Sequence, residues 1–273
     1  MTTVSTIVCC YRQSPAHVAA TLACLGRETG SDFGGVIVDN AGTAKDAHIP
    51  GWRVIPGSNA LMDFSGYCEG LSALGTHQDA VLVLNDTLFT DHNAGFMLAR
   101  LLRYRDFIAA CDTPAIAGKV DHYFSVCFAN PWSGANAYVS SFAFLLSAKA
   151  LPILPRLYAE VDEIMGDPAL ALGDPGWAPG LDPQFRAYLR LHLLTDFDPR
   201  SWYRLKAGAV AADVLARKAR CVYLEHRLSG EIARKGVIVS LFPRGRDKIK
   251  FVTMERFDRV KRRVSIGRLQ AQS

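Results

Sequence analysis

Apolar and polar residues fall in short blocks through residues 1–105, and the period of the pattern switches as the blocks pass. Thr3-Val-Ser-Thr-Ile-Val-Cys-Cys10 is apolar and β-rich and predicts a first strand. Tyr11, Arg12, Gln13 and Ser14 make a polar loop, Pro15 suits a first helical turn, and Val18, Leu22 and Leu25 share one helical face. Gly34-Gly-Val-Ile-Val-Asp39 predicts a second strand ending in a carboxylate, with a turn at Asn40-Ala-Gly42. Trp52-Arg-Val-Ile55 predicts a third strand, broken by Pro56-Gly-Ser-Asn59. Leu61, Phe64, Cys68, Leu71 and Leu74 form a helical stripe that stops at Gly75. The run from Ala80 is apolar through Val81, Leu82, Val83 and Leu84 and turns polar at Asn85, Asp86 and Thr87, the pattern of a strand buried on both faces. An amphipathic helix is expected over 90–105.

Alternation of strand and helix predicts a parallel α/β sheet with right-handed crossovers. Tyr11/Arg12, Asp39/Asn40 and Asn85/Asp86 then lie at one edge, where open α/β sheets bind ligands. Read singly, Asp86 is equally a cap for the helix that follows.

Further along, Ala115–Val120 and Val139–Ser147 read as a fifth and a sixth strand, the latter leading to a helix at Ala148. Trp132, in the aromatic segment between them, suits either core packing or stacking on a sugar or base. Residues 166–183, rich in Gly, Pro and Asp, read as a loop that could serve as a lid. Asp182 is a cap for a helix marked by Phe185 and Leu189, Pro199 opens another running towards Ala219, and Val237–Phe242 reads as a strand.

Composition narrows the class. The chain has 273 residues, 49% hydrophobic, enough for one large domain or one and a half ordinary ones. No apolar run reaches the ~18 residues of a membrane span, and no signal peptide is expected. Seven cysteines without a CxxC pair predict buried thiols in a reducing compartment and give no zinc spacing. Net charge is +5, but residues 235–273 hold eleven Lys/Arg against three Asp/Glu. This tail reads either as a solvated basic helix, with Phe257, Val260 and Val264 on one face, or as a surface drawn to anionic lipid or polyanionic glycan. Nucleic acid is not expected, for no DNA or RNA module is present. GxGxxG after the first strand, GxxxxGK[ST] and GxSxG are all absent, which removes the dinucleotide, P-loop and nucleophile-elbow readings.

With these pieces in order, the N-terminal ~150 residues resemble a GT-A glycosyltransferase of the family 2 type. The resemblance rests on Val4–Arg12, on Val36-Ile-Val-Asp39, on Gly57-Ser-Asn59 leading to Glu69-Gly70-Leu71, and on Leu84-Asn-Asp-Thr87 in the place of a DxD element. A narrower resemblance is to the rhamnan-synthesis (RgpF-like) glycosyltransferases of bacterial polysaccharide assembly. It is carried by Asn85-Asp-Thr87, Ser140-Ser-Phe-Ala-Phe-Leu-Leu146, and Lys218 through Glu225-His-Arg-Leu-Ser229 to Gly236. The sequence departs from the pattern in having Leu84 and Asn85 where a full Asp-x-Asp would begin, and Ala60 in place of a glycine.

The resemblance implies a Rossmann-like, mostly parallel sheet with flanking helices and a helical, basic C-terminal extension. It implies a domain over 1–243, with a nucleotide-binding half near 1–120, an acceptor half near 121–243, and a tail at 244–273. The implied activity is inverting transfer from a UDP- or dTDP-linked sugar to a glycan or lipid-linked glycan acceptor, in the cytoplasm or at the inner face of the membrane. Asp39 is expected on the nucleotide, flanked by Tyr11, Arg12 and Asn59, with Asn85 facing the diphosphate. Asp86 is expected to hold Mg²⁺ or Mn²⁺, and Glu225 to be the general base. Glu225 could instead partner Arg220 or Arg227, and Asp162 and Glu163 are the runner-up bases. A non-catalytic nucleotide-binding or scaffold protein of the same fold is the alternative.

Overall fold

The computed structural model describes residues 3–43, 48–75, 79–123, 127–194, 210–243 and 245–254. The first half runs β1 (Thr3–Cys10), α1 (Pro15–Thr29), β2 (Asp32–Asp39), β3 (Trp52–Pro56), α2 (Met62–Leu74) and β4 (Ala80–Asn85). Three short helices follow, α3 (Thr87–Asp91), α4 (Ala94–Leu102) and α5 (Arg105–Ala109). The second half runs β5 (Ala115–Asp121), β6 (Tyr138–Ser147), α6 (Ile153–Ala159), α7 (Val161–Met165), α8 (Pro183–Leu194), α9 (Ala212–Lys235) and β7 (Val237–Ser240). A further helix, α10, covers 245–254.

The strands form one seven-stranded sheet in the order β3-β2-β1-β4-β6-β5-β7. Only β6 runs against its neighbours; the other six strands share one direction. This is an α/β sheet, mostly parallel, flanked by helices and compatible with a Rossmann-like fold. Strand periodicity divides the core in two. Ile7, Cys9, Val36, Val38, Val81, Val83, Phe144 and Leu146 face α2, α6, α8 and α9. Val8, Cys10, Ile37, Leu82, Leu84, Ala143 and Leu145 face α1, α4 and α10. Burial on both faces explains why β1 and β4 read as unbroken apolar runs.

From β1 the chain steps outward to β2 and β3, then returns to place β4 on the other side of β1. The order therefore reverses between β1 and β4, the switch point where such sheets open a crevice at their carboxyl ends. Register pairs Cys10 with Asp39 and Cys9 with Asn85, so the three polar strand ends share this edge. Leu84 pairs with Ala143, so the first residues of β6 run past the end of β4 and overhang the crevice.

Several elements differ from the sequence reading. The single helix expected over 90–105 is three, because Asn93 turns extended and its Oδ1 caps α4 by accepting the Phe96 N–H at 2.9 Å. The helix expected at Ala148 starts at Ile153, after turns that lead to Pro152. Cys221–Lys235 belongs to one helix, α9, that starts at Ala212. The strand read to Phe242 ends at Ser240. Residues 195–209, with the helix expected from Pro199, lie outside the described residues, as do Phe257, Val260 and Val264. Asp182 does cap α8, its Oδ1 accepting the Phe185 N–H at 2.9 Å.

Candidate functional site

The site is built around loops that leave β1, β2 and β4 at the switch point. Asp86 follows β4, only 1% exposed. Its Oδ2 accepts three successive backbone N–H groups of the β1–α1 loop, from Tyr11 (2.7 Å), Arg12 and Gln13 (2.9 Å). A turn of consecutive amides is an anion-binding nest, and here the anion is the chain's own carboxylate. Asp86 thus fastens the β1–α1 loop to the end of β4. The fastening turns Tyr11 towards α2, where its hydroxyl bonds Asn59 Oδ1. Asn59 is held at a φ of 54° in the turn before α2. Burial pushes the Tyr11 hydroxyl up to about 12, and the charge of Asp63 adds to the push.

Asn85 points the other way. Its Nδ2 donates to Asp63 Oδ2 at 2.9 Å, and its Oδ1 accepts from Thr87. Asp63 stands in the first turn of α2, and burial raises its carboxyl above the usual range. The Lys218 ammonium and the Asn85 bond work in the opposite direction without cancelling the rise.

Lys218 comes from α9. Two turns on, Glu225 lies on the same face of that helix and reaches the overhang of β6, where its Oε1 accepts the Ser141 N–H at 2.6 Å. The Ser141 carbonyl accepts from Tyr67 Oη at 2.8 Å, so one residue of β6 is held from α9 and α2 together. Burial raises the Glu225 carboxyl, and Lys218 and the Ser141 bond oppose it only in part. Cys221, between Lys218 and Glu225, contacts the Leu61 carbonyl at 3.2 Å and so sets α9 against the start of α2. Two partly buried carboxyls from different helices, Asp63 and Glu225, therefore share the field of one lysine at the crevice.

α9 is fixed here by a buried polar knot. Asn130 Nδ2 donates to the His226 carbonyl (2.8 Å) and to Tyr123 Oη (3.0 Å), and Tyr123 Oη meets His226 Nδ1 at 2.5 Å. Gly230 permits the approach, since a Cβ there would fall 2.3 Å from Asn130 Oδ1. Trp132 packs edge-on against Phe185 and Tyr223 under the Arg227 guanidinium, so the structure gives it the packing role.

Asp39 is 4% exposed and pairs in register with Cys10. Its Oδ1 accepts the Ala41 N–H at 3.1 Å and the Thr43 hydroxyl at 3.4 Å, a turn-forming role. Arg12 projects to the surface and meets Asp91 at 3.4 Å. Of the seven residues singled out in the sequence, Tyr11 and Asn59 bond each other, and Asn85, Asp86 and Glu225 come to the same crevice by way of Asp63 and Lys218. Asp63 and Lys218 were not singled out for a role. The readable signal was the seven-residue spacing of Lys218 and Glu225, which puts both on one helical face. Glu225 partners neither Arg220, which bonds Asp162 at 2.7 Å, nor Arg227, which bonds Glu231. Asp162 thus ties α7 to α9, and Glu163 is exposed.

No protein-family model and no curated protein matches the chain. Among the described residues no group of three or more His, Cys, Asp or Glu side chains is arranged to hold a metal ion. Asp86 Oδ2 is taken by amides, and Asp63 and Asn85 bond each other. As bonded here these oxygens do not by themselves make a divalent-cation site, and Lys218 places a positive charge beside Asp63 and Glu225. Among the described residues no helix is long and apolar enough to cross a membrane.

Proposed function

We propose that the chain is a GT-A-type glycosyltransferase of bacterial surface-polysaccharide synthesis, moving a sugar with inversion from a UDP- or dTDP-linked donor to a glycan or lipid-linked glycan acceptor. The observation that carries this reading is the meeting of Glu225, Asp63 and Lys218 at the switch point, beside the loop held by Asp86. A sheet in which only β6 is reversed, with polar ends on β1, β2 and β4, is compatible with the same reading.

In the proposed reaction the acceptor oxygen attacks the anomeric carbon and the bond from that carbon to the diphosphate breaks. The acceptor proton passes to Glu225. Burial keeps this carboxyl's affinity for a proton above that of an ordinary glutamate, which suits a base working near neutral pH. The departing nucleoside diphosphate gains negative charge, and Lys218 faces it with a positive one. Tyr11, Asn59 and Asp39 border the nucleotide end. The family resemblance implies Mg²⁺ or Mn²⁺ on Asp86; the steps above need only Glu225 and Lys218.

A scaffold that binds a nucleotide without catalysis is the second reading. It is favoured by the fact that both Asp86 and Glu225 hold backbone amides, which is also what structural carboxylates do. Thermal melting against UDP, dTDP, GDP and CMP nucleotides and their sugars, in magnesium and in chelator, tests both. A ligand that binds only the folded state raises the melting temperature by mass action. The transferase reading expects a selective rise with UDP or dTDP compounds that persists in chelator, and slow hydrolysis of the matching nucleotide-sugar. A rise without turnover with any donor and acceptor would favour the scaffold, and no rise with any nucleotide would sink both.

A further inference from the structure

The helix α10 has two unlike faces. Phe251, 1% exposed, packs inward on Phe242 and Phe96, with ring centroids at 4.7 and 5.9 Å. Asp247 bonds Arg100 of α4 at 3.0 Å and fixes the helix from its other end. With those anchors in place, Ile249 is 68% and Val252 38% exposed, one turn apart on the outer face. Arg246, Lys248 and Lys250 are exposed around them. The stretch 245–273 carries nine Lys/Arg against three Asp/Glu, more net charge than the +5 of the whole chain.

Position matters as much as composition. β7 is parallel to β5 and pairs Ser240 with Gly118, so the chain leaves β7 at the carboxyl edge of the sheet. α10 begins there, and the charge of Lys248 acts on Asp121, which ends β5 at that edge. Asp121 in turn bonds Lys119 at 2.7 Å and the Ser140 hydroxyl on the overhang of β6. The basic helix and the crevice therefore open towards the same side.

We propose that α10 is a docking face for a bilayer bearing anionic lipids, which brings the carboxyl-edge crevice up to the membrane surface. Arg246, Lys248 and Lys250 match the negative headgroups, and Ile249 and Val252 enter the acyl boundary between them. Exposed aliphatic side chains within a basic face favour lipid over nucleic acid, which offers them no apolar phase. The proposal holds for this face whatever the crevice binds, and its test needs no nucleotide.

The test is co-sedimentation of the full chain with vesicles of phosphatidylcholine alone or with about a third phosphatidylglycerol. The expected result is binding to the anionic vesicles only, lost as salt rises to about 0.5 M. Arg246→Glu with Lys250→Glu should weaken partition at least about tenfold. Ile249→Ser with Val252→Ser should weaken it about fivefold to tenfold, with the salt dependence retained. All four positions are exposed, and an unchanged melting temperature checks that the fold is intact. Failure to bind anionic vesicles would overturn the proposal. So would binding that both double variants leave unchanged, which would assign it to residues 255–273. Capture of duplex DNA without vesicle binding would make the face a nucleic-acid surface and overturn it equally.

Discussion

Glu225 and Glu231 sit six residues apart on the same helix and are treated in opposite ways. Three guanidiniums surround Glu231: Arg227 at 2.7 Å, Arg234 at 2.9 Å and Arg156 at 3.9 Å. Burial works to raise its carboxyl, but the arginines outweigh burial and hold it below the usual range. Glu225 has one amide and the field of one lysine that it shares with Asp63, and there burial wins. A carboxylate whose charge is over-matched belongs to the architecture. One whose charge is under-matched is costly to keep ionised, and that cost is what suits it to the proposed role of base.

The sharpest way to break this contrast is to neutralise each glutamate in turn. Glu225→Gln should lower transfer about 10²- to 10⁴-fold while the melting shift with nucleotide persists. Glu231→Gln should leave transfer nearly unchanged and cost about 1–3 kcal/mol of stability, because it leaves three arginines without their shared acceptor. Steady-state kinetics and denaturant titration read both. If Glu231→Gln damaged turnover as much as Glu225→Gln, the division between structural and chemical carboxylates would fail.

The next effect is in pH and in Lys218. Glu225 and Asp63 titrate above their unfolded values of about 4.3 and 3.9. Between the unfolded and the folded value the native state keeps protons that the unfolded chain has released. Stability from these groups is therefore fully present below the unfolded values and is lost as pH rises through the raised ones. Glu225→Gln should flatten that fall. Catalysis has the other sign: the rate should climb with pH as Glu225 loses its proton, with the midpoint above the ordinary glutamate range. Lys218→Met removes the ammonium that lowers both carboxyls, so the midpoint should move further up. It also removes the charge proposed to face the diphosphate, for about a 10²-fold loss in kcat/KM. A pH–rate profile that Lys218→Met merely scales down, without moving it, would separate Lys218 from Glu225.

Sequence carried much of the frame. β1, β2 and β4 were legible because strands buried on both faces are nearly pure apolar runs, and a polar residue can appear only where they end. That is why the sequence alone sets Asp39, Asn85 and Asp86 at one edge. Where an apolar stripe is interrupted by side chains that compete for the backbone, pattern fails: Asn93 divides what periodicity joins into one helix. α9 was hidden for a different reason. It is buried on most of its circumference, with Arg220, His226 and Glu231 inside, so it has no clean apolar stripe. Asp63 has no sequence signal beyond that of an acid in the first turn of α2. That it shares the field of Lys218 with Glu225 depends on how α9 lies across α2, which no local spacing encodes.

The smallest effect is at Asp86, and it bears on the contrast from a third side, that of a carboxylate matched by amides instead of arginines. Asp86→Asn keeps an oxygen for the Tyr11, Arg12 and Gln13 N–H groups but removes its charge, which should cost about 1–2 kcal/mol. Amide hydrogen exchange at residues 11–13 should speed up, since those hydrogen bonds are what hold the loop. Nucleotide affinity should fall moderately as Tyr11 loosens from Asn59. If Asp86 held a metal, the same variant would instead abolish a magnesium-dependent part of the nucleotide-induced melting shift. A clasp expects the shift to be the same in magnesium and in chelator, before and after the substitution, so one melting series in two buffers decides which role the carboxylate has.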